Sequence, residues 1–120
     1  MGLDGTIEQV DIRRVIDNFH FDDKPSTDET DKGVKEIMYW RKNYKLQDFM
    51  RNLYYEKGGE EEFNHVYIRL DEDDLDTIDH YAINGKLNLD EGRMDEGRDF
   101  ITNARIAINS GYAIYYYSSW

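Results

Sequence analysis

The chain has 120 residues, no cysteine, one proline and a net charge of −11, with 15 basic and 26 acidic residues. That length suits one domain, and an aromatic fraction of 14% supplies apolar area for a core although only 39% of residues are hydrophobic. Disulfides, a thiol nucleophile and cysteine-based zinc sites are excluded, and the acidity argues against direct nucleic-acid backbone binding. No apolar run approaches a membrane span, and Met1-Gly2-Leu3-Asp4-Gly5 lacks the features of a signal peptide.

Thr6-Ile7-Glu8-Gln9 has the capping-box form, and Ile12, Val15, Ile16 and Phe19 follow at helical spacing. The pattern predicts a first helix over 7–19. Residues 20–33 are polar and hold the proline, so they read as a mobile linker between this helix and the main body. Residues 34–57 contain no Gly or Pro and end at Gly58-Gly59, which predicts a long central helix. Its apolar residues fall on two sides, one with Met38, Tyr39, Leu46, Phe49, Met50 and Leu53, the other with Ile37, Trp40, Tyr44 and Tyr55.

Residues 63–70 are rich in aromatic and β-branched side chains and predict a strand. Asp71 follows as the N-cap of a helix whose first turn is acidic. Residues 86–93 read as loop, with Asp-Glu-Gly-Arg repeated at Asp90 and Asp95. A further helix is expected over 95–110 and a final strand over 112–117. The expected fold is α+β, a single domain of about four helices around a small two-stranded sheet.

Charge is segregated along the chain. Residues 34–57 carry six bases and three acids, whereas residues 58–99 carry fourteen acids and four bases. One reading is that the basic segment packs beside acidic neighbours. Another is that the acidic surface is a docking face.

Catalytic patterns are not evident. Counting an EF-hand from Asp71 places Leu75 at position five and Asp76 at position six, where a ligand and Gly are needed. His20, His65 and His80 have no metal-ligand spacing, there is no Gly-rich phosphate loop, and no two carboxylates are selected as an acid–base pair. No metal or cofactor and no enzymatic activity are therefore expected. The aromatics are more informative. Tyr115 and Tyr117 lie on one face of the last strand and Tyr116 on the other, so some of them are expected to be exposed, and exposed Tyr and Trp anchor protein interfaces.

Tyr39-Trp40-Arg41-Lys42-Asn43 with Leu46 and Phe49-Met50, the Gly-Gly before Phe63-Asn64, Asp73-Asp74-Leu75 and the tail from Gly111 to Trp120 resemble a group of small acidic tailed-phage proteins of unassigned function. The resemblance covers about residues 35–120; where those proteins tend to carry histidine after the leucine, this chain has Gln47. It implies phage origin and action in the cytoplasm of an infected bacterium.

The expected function is a non-enzymatic effector that binds a host or anti-phage defence protein, in one version by mimicry of DNA phosphates. The partner-binding residues expected are Asp71, Asp73, Asp74, Asp76, Tyr115, Tyr116, Tyr117 and Trp120. The alternative is a binder that sequesters a small nucleotide or signal molecule, with Arg41, Lys42 and Lys45 holding phosphates and Trp40 or Tyr44 stacking. Self-association as a homo-oligomer is compatible with either.

Overall fold

The computed structural model describes residues 3–22, 33–41, 44–83 and 99–119. Strand β1 (Asp4–Asp11) leads through a 3-10 turn (Ile12–Arg14) to β2 (Val34–Arg41), then α1 (Tyr44–Glu56), β3 (Tyr67–Leu70), α2 (Glu72–Ile83), α3 (Asp99–Asn109) and β4 (Tyr112–Ser119). The four strands form one antiparallel sheet in the order β2-β1-β4-β3. No helix among the described residues is long and apolar enough to cross a membrane.

The α+β class stands, but the two-stranded, four-helix architecture is corrected. The first helix expected over 7–19 is instead the central strand β1 and a short turn, and the 34–57 helix is split into β2 and the shorter α1. The two errors have different causes: β1 buries residues on both of its faces, and β2 carries a bulge. Ile7 points to the helices and Val10 to the opposite side, and both are fully buried. The helically spaced Ile12, Val15, Ile16 and Phe19 fall instead on the 3-10 turn and the segment after it, where Ile12 and Ile16 are exposed and no buried stripe forms. In β2 the register shifts, with Ile7 opposite Met38 but Glu8 opposite Glu36. Ile37 is the extra residue of this bulge, and both it and Met38 pack into the main core. Two successive inward residues break the period-2 signature of a strand.

The three described α-helices cover one face of the sheet. Ile7, Met38, Trp40, Ile68, Leu70, Ile114 and Tyr116 meet Leu46, Met50 and Tyr54 of α1, Leu75 and Ile78 of α2, and Ile101, Ala104 and Ala107 of α3. Expected strands 63–70 and 112–117 do pair, as β3 and β4. At the end of α1, Gly58 adopts φ 103°, a left-handed conformation that ends the helix without the Cβ penalty other residues incur.

Residues 15–22 close over the other face as a lobe. Val15 bridges Phe21, and Phe21 packs with Val10, Ala113, Tyr115 and Tyr67. The Tyr115 hydroxyl donates to the carbonyl of Asp17 at 2.7 Å, and the N–H of Arg69 on edge strand β3 donates to the carbonyl of Asn18 at 2.7 Å. Burial pushes the Tyr115 phenol up to about 12. Residues 20–22 are therefore docked; the rest of the expected linker, except Gly33, lies outside the described residues.

Candidate functional site

The acidic start of α2 is built first by helix chemistry. Asp71 and Asp74 form a reciprocal cap: the Asp74 N–H donates to Asp71 Oδ1 at 2.9 Å, and the Asp71 N–H donates to Asp74 Oδ2 at 3.0 Å. Lys57 Nζ lies 2.5 Å from Asp74 Oδ2 and also donates to the carbonyl of Arg69 at 2.7 Å. Burial pushes the Asp71 carboxyl up, but the Asp74 N–H and the Lys57 charge outweigh it, and the pKa lies below the ordinary carboxylate value. The stability this contributes is present above the unfolded-state pKa and is lost as pH falls through the folded one. Asp71→Ala is expected to cost about 1 kcal/mol in urea unfolding at neutral pH, with the difference from wild type shrinking in acid.

Two of the four acids expected to touch a partner are thus occupied in starting their own helix. Asp76 pairs with Arg105 of α3. Asp73 is exposed, with its carbonyl accepting from Thr77.

The aromatic anchors need correction too. Tyr115 and Tyr116 are buried, under the 15–22 lobe and the helices respectively, so neither can anchor a partner from the surface. Both faces of β4 are covered because it is a central strand of a four-stranded sheet, which the two-stranded expectation did not allow. Tyr117 is half-buried and shares a 3.0 Å hydrogen bond with His65 Nδ1. Trp120 lies outside the described residues.

The alternative ligand set loses its tryptophan. Trp40 is buried in the main core, which removes it as a stacking surface. Arg41 is exposed at the end of β2, Tyr44 and Lys45 are exposed at the start of α1, and Lys42 lies outside the described residues. Gln47, on the same helix, is buried; its Oε1 accepts from the Tyr116 hydroxyl at 2.9 Å and its Nε2 donates to the Phe63 carbonyl at 3.5 Å.

A cleft of about 400 Å³ opens beside the β3 edge, where the lobe meets the stretch from Tyr54 to Tyr67. Phe19 and His20 come from the lobe, Tyr54 from α1, Gly59, Glu60 and Glu61 from the turn after it, and His65 and Tyr67 from the approach to β3. The turn passes so close to Tyr54 that a Cβ on Gly59 would stand 2.3 Å from its ring. Phe19 meets Tyr54 edge-on at 5.2 Å between ring centroids, and Tyr54 lies 5.1 Å from Phe63. His65 holds a left-handed backbone, φ 60°, with its N–H donating to the carbonyl of Ser118 at 2.9 Å. Non-glycine residues adopt that conformation at a cost and cluster at functional sites.

Aromatic walls with exposed Glu60 and Glu61 at the rim suit a cationic group, which gains from ring faces and from carboxylates together. No group of three or more His, Asp or Glu able to hold a metal ion is present among the described residues. The residues of this cleft were singled out only singly by the sequence; no local motif joins positions 19, 54, 60 and 65, and the tertiary fold alone brings them together. No protein-family model, curated protein or solved structure matches the chain.

Proposed function

We propose that the chain is a non-enzymatic effector that binds a basic surface on a host or anti-phage defence protein in the cytoplasm of an infected bacterium. The observation that carries the reading is the aromatic cleft beside β3 with Glu60 and Glu61 on its rim, in a chain of net charge −11. The phage setting rests on the resemblance of the Tyr-Trp-Arg-Lys-Asn segment and the tyrosine-rich tail. Simple charge-guided docking is favoured over phosphate mimicry, because Asp71 and Asp74 are turned to helix N–H groups and Lys57 rather than outward.

The test is capture from host lysate followed by binding kinetics with the purified partner. Charge reversal by Glu60→Lys with Glu61→Lys, or by Asp73→Lys, is expected to slow association several-fold and flatten its dependence on salt, because rim charges act mainly on encounter. Dissociation should change little. Association that is independent of salt and of all three substitutions would overturn the reading.

A further inference from the structure

The sheet face opposite the helices is only partly covered by the 15–22 lobe. Beyond the lobe it carries Asp4, Thr6 and Glu8 of β1, Glu36 and Tyr39 of β2 and Tyr117 of β4, with Tyr67 of β3 at the margin, packed against Phe21 of the lobe. The register sets Thr6 between Tyr39 and Tyr117, with Tyr67 beyond, and Glu8 between Glu36 and Tyr115. Glu36 is exposed, whereas Glu8, Tyr39, Tyr67 and Tyr117 are half-buried, so the face is reached from the β2 side.

Two polar atoms here are buried with no hydrogen-bond partner: Thr6 Oγ1 and Glu8 Oε2. Native folds rarely leave such groups unsatisfied, and an exception calls for an explanation. They are two residues apart on one face of one strand, about 7 Å along it. No cation among the described residues pairs with Glu8, and the charge that acts on it is the like-charged Glu36. A carboxylate accepts and does not donate, so a ligand that completes this group must bring donors and positive charge.

We propose that this face binds an arginine side chain of a basic protein partner, with the half-buried Glu8 and Thr6 side chains turning from their covered rotamers to accept from its guanidinium beside the rings of Tyr39 and Tyr117. The planar guanidinium offers five donors in a fixed fork and stacks on aromatic faces; an ammonium presents three donors at one point. Tyr39 is held for this role by its hydroxyl, which donates to Asp4 Oδ1 at 2.6 Å. The inference rests on the protein-binding function proposed above for the nature of the partner, but its acceptors Glu8 and Thr6 lie outside the Glu60–Glu61 cleft, which adjoins this face at Tyr67.

Apart from a ligand, the face should be a source of instability. Burial, with Glu36 adding to it, raises the Glu8 pKa despite hydrogen bonding by Tyr67. A carboxyl raised on folding lowers stability as pH climbs from its unfolded-state pKa through its folded one. The other titratable or charged groups on this face are Asp4 of β1, Glu36 of β2, Tyr115 of β4 and Tyr67 and Arg69 of β3. Glu8→Gln should therefore raise Tm at pH 7 and lose that advantage below about pH 4.

The experiment titrates the full chain with three hexapeptides, rich in arginine, lysine or glutamate, by calorimetry. The arginine peptide should bind most tightly. Glu8→Gln should weaken it at least tenfold while raising Tm at pH 7, Thr6→Val should weaken it several-fold, and Glu60→Lys with Glu61→Lys should leave the preference for arginine over lysine intact. Equal binding of arginine and lysine peptides, no binding, or binding indifferent to Glu8→Gln would each overturn the proposal. A partner whose association still depends on Glu60 and Glu61 would leave the effector function standing in those cases.

Discussion

Trp40→Ala is expected to remove about 3–5 kcal/mol of stability, the range for deleting a large buried aromatic side chain. Trp40 is 1% exposed on the inner face of β2, in the core shared with α1, α2 and α3. A domain of this size has only about 5–15 kcal/mol in total, so Tm should fall by more than about 10 °C. Tyr44→Ala supplies the control, since Tyr44 is 59% exposed at the start of α1 and its loss should stay within about 0.5 kcal/mol. The pair also separates two functions for the basic segment. A stacking residue for a small ligand would be dispensable for folding, whereas a core tryptophan would not. A Trp40→Ala variant that melts with the wild type would return Trp40 to the surface and revive the ligand-binding alternative.

What could be read from the residues depended on how far apart the deciding contacts lie. The cap at Asp71 and the acidic first turn of α2 are local, and the helix begins there. The tyrosine-rich run of β4 and the run ending at Leu70 carry enough β-forming side chains to be strands in isolation. β1 failed that test because its pattern records two cores at once, and β2 because a bulge shifts its phase. Ile7 answers to the helices, Val10 to the 15–22 lobe, and the bulge at Ile37 adds a phase jump. The candidate sites follow the same rule. Asp71, Asp73, Asp74 and Asp76 stand out as a run in the sequence, yet three of them are engaged in capping or ion pairing. Glu8 and Thr6 gain interest only once the register puts Tyr39 and Tyr117 on the two strands flanking them and Tyr67 on the strand beyond, and no spacing within one segment encodes that.

The second large effect concerns a contact between Gly5 and Tyr116, and it should be non-additive. Tyr116 lies buried between the sheet and α1, and a Cβ built on Gly5 would stand 2.5 Å from its hydroxyl oxygen and 3.1 Å from the adjoining ring carbon. Gly5→Ala therefore forces a packed ring to move, a change of about 1–3 kcal/mol. Tyr116→Phe removes the oxygen that obstructs the methyl group, but it leaves Gln47 Oε1 without the donor now 2.9 Å away. A buried acceptor stranded in this way costs about 1–3 kcal/mol. The double variant should be more stable than the two single losses predict, because the clash and the hydroxyl disappear together. A coupling of about 0.5–3 kcal/mol is the expected range for residues in contact, and the remaining ring-carbon contact places it in the lower half. Urea unfolding of the four proteins measures the cycle directly. Strict additivity would mean that Tyr116 does not lie over Gly5, and with it would go the register that sets β1 against β4 and lines up Thr6 and Glu8 on the opposite face.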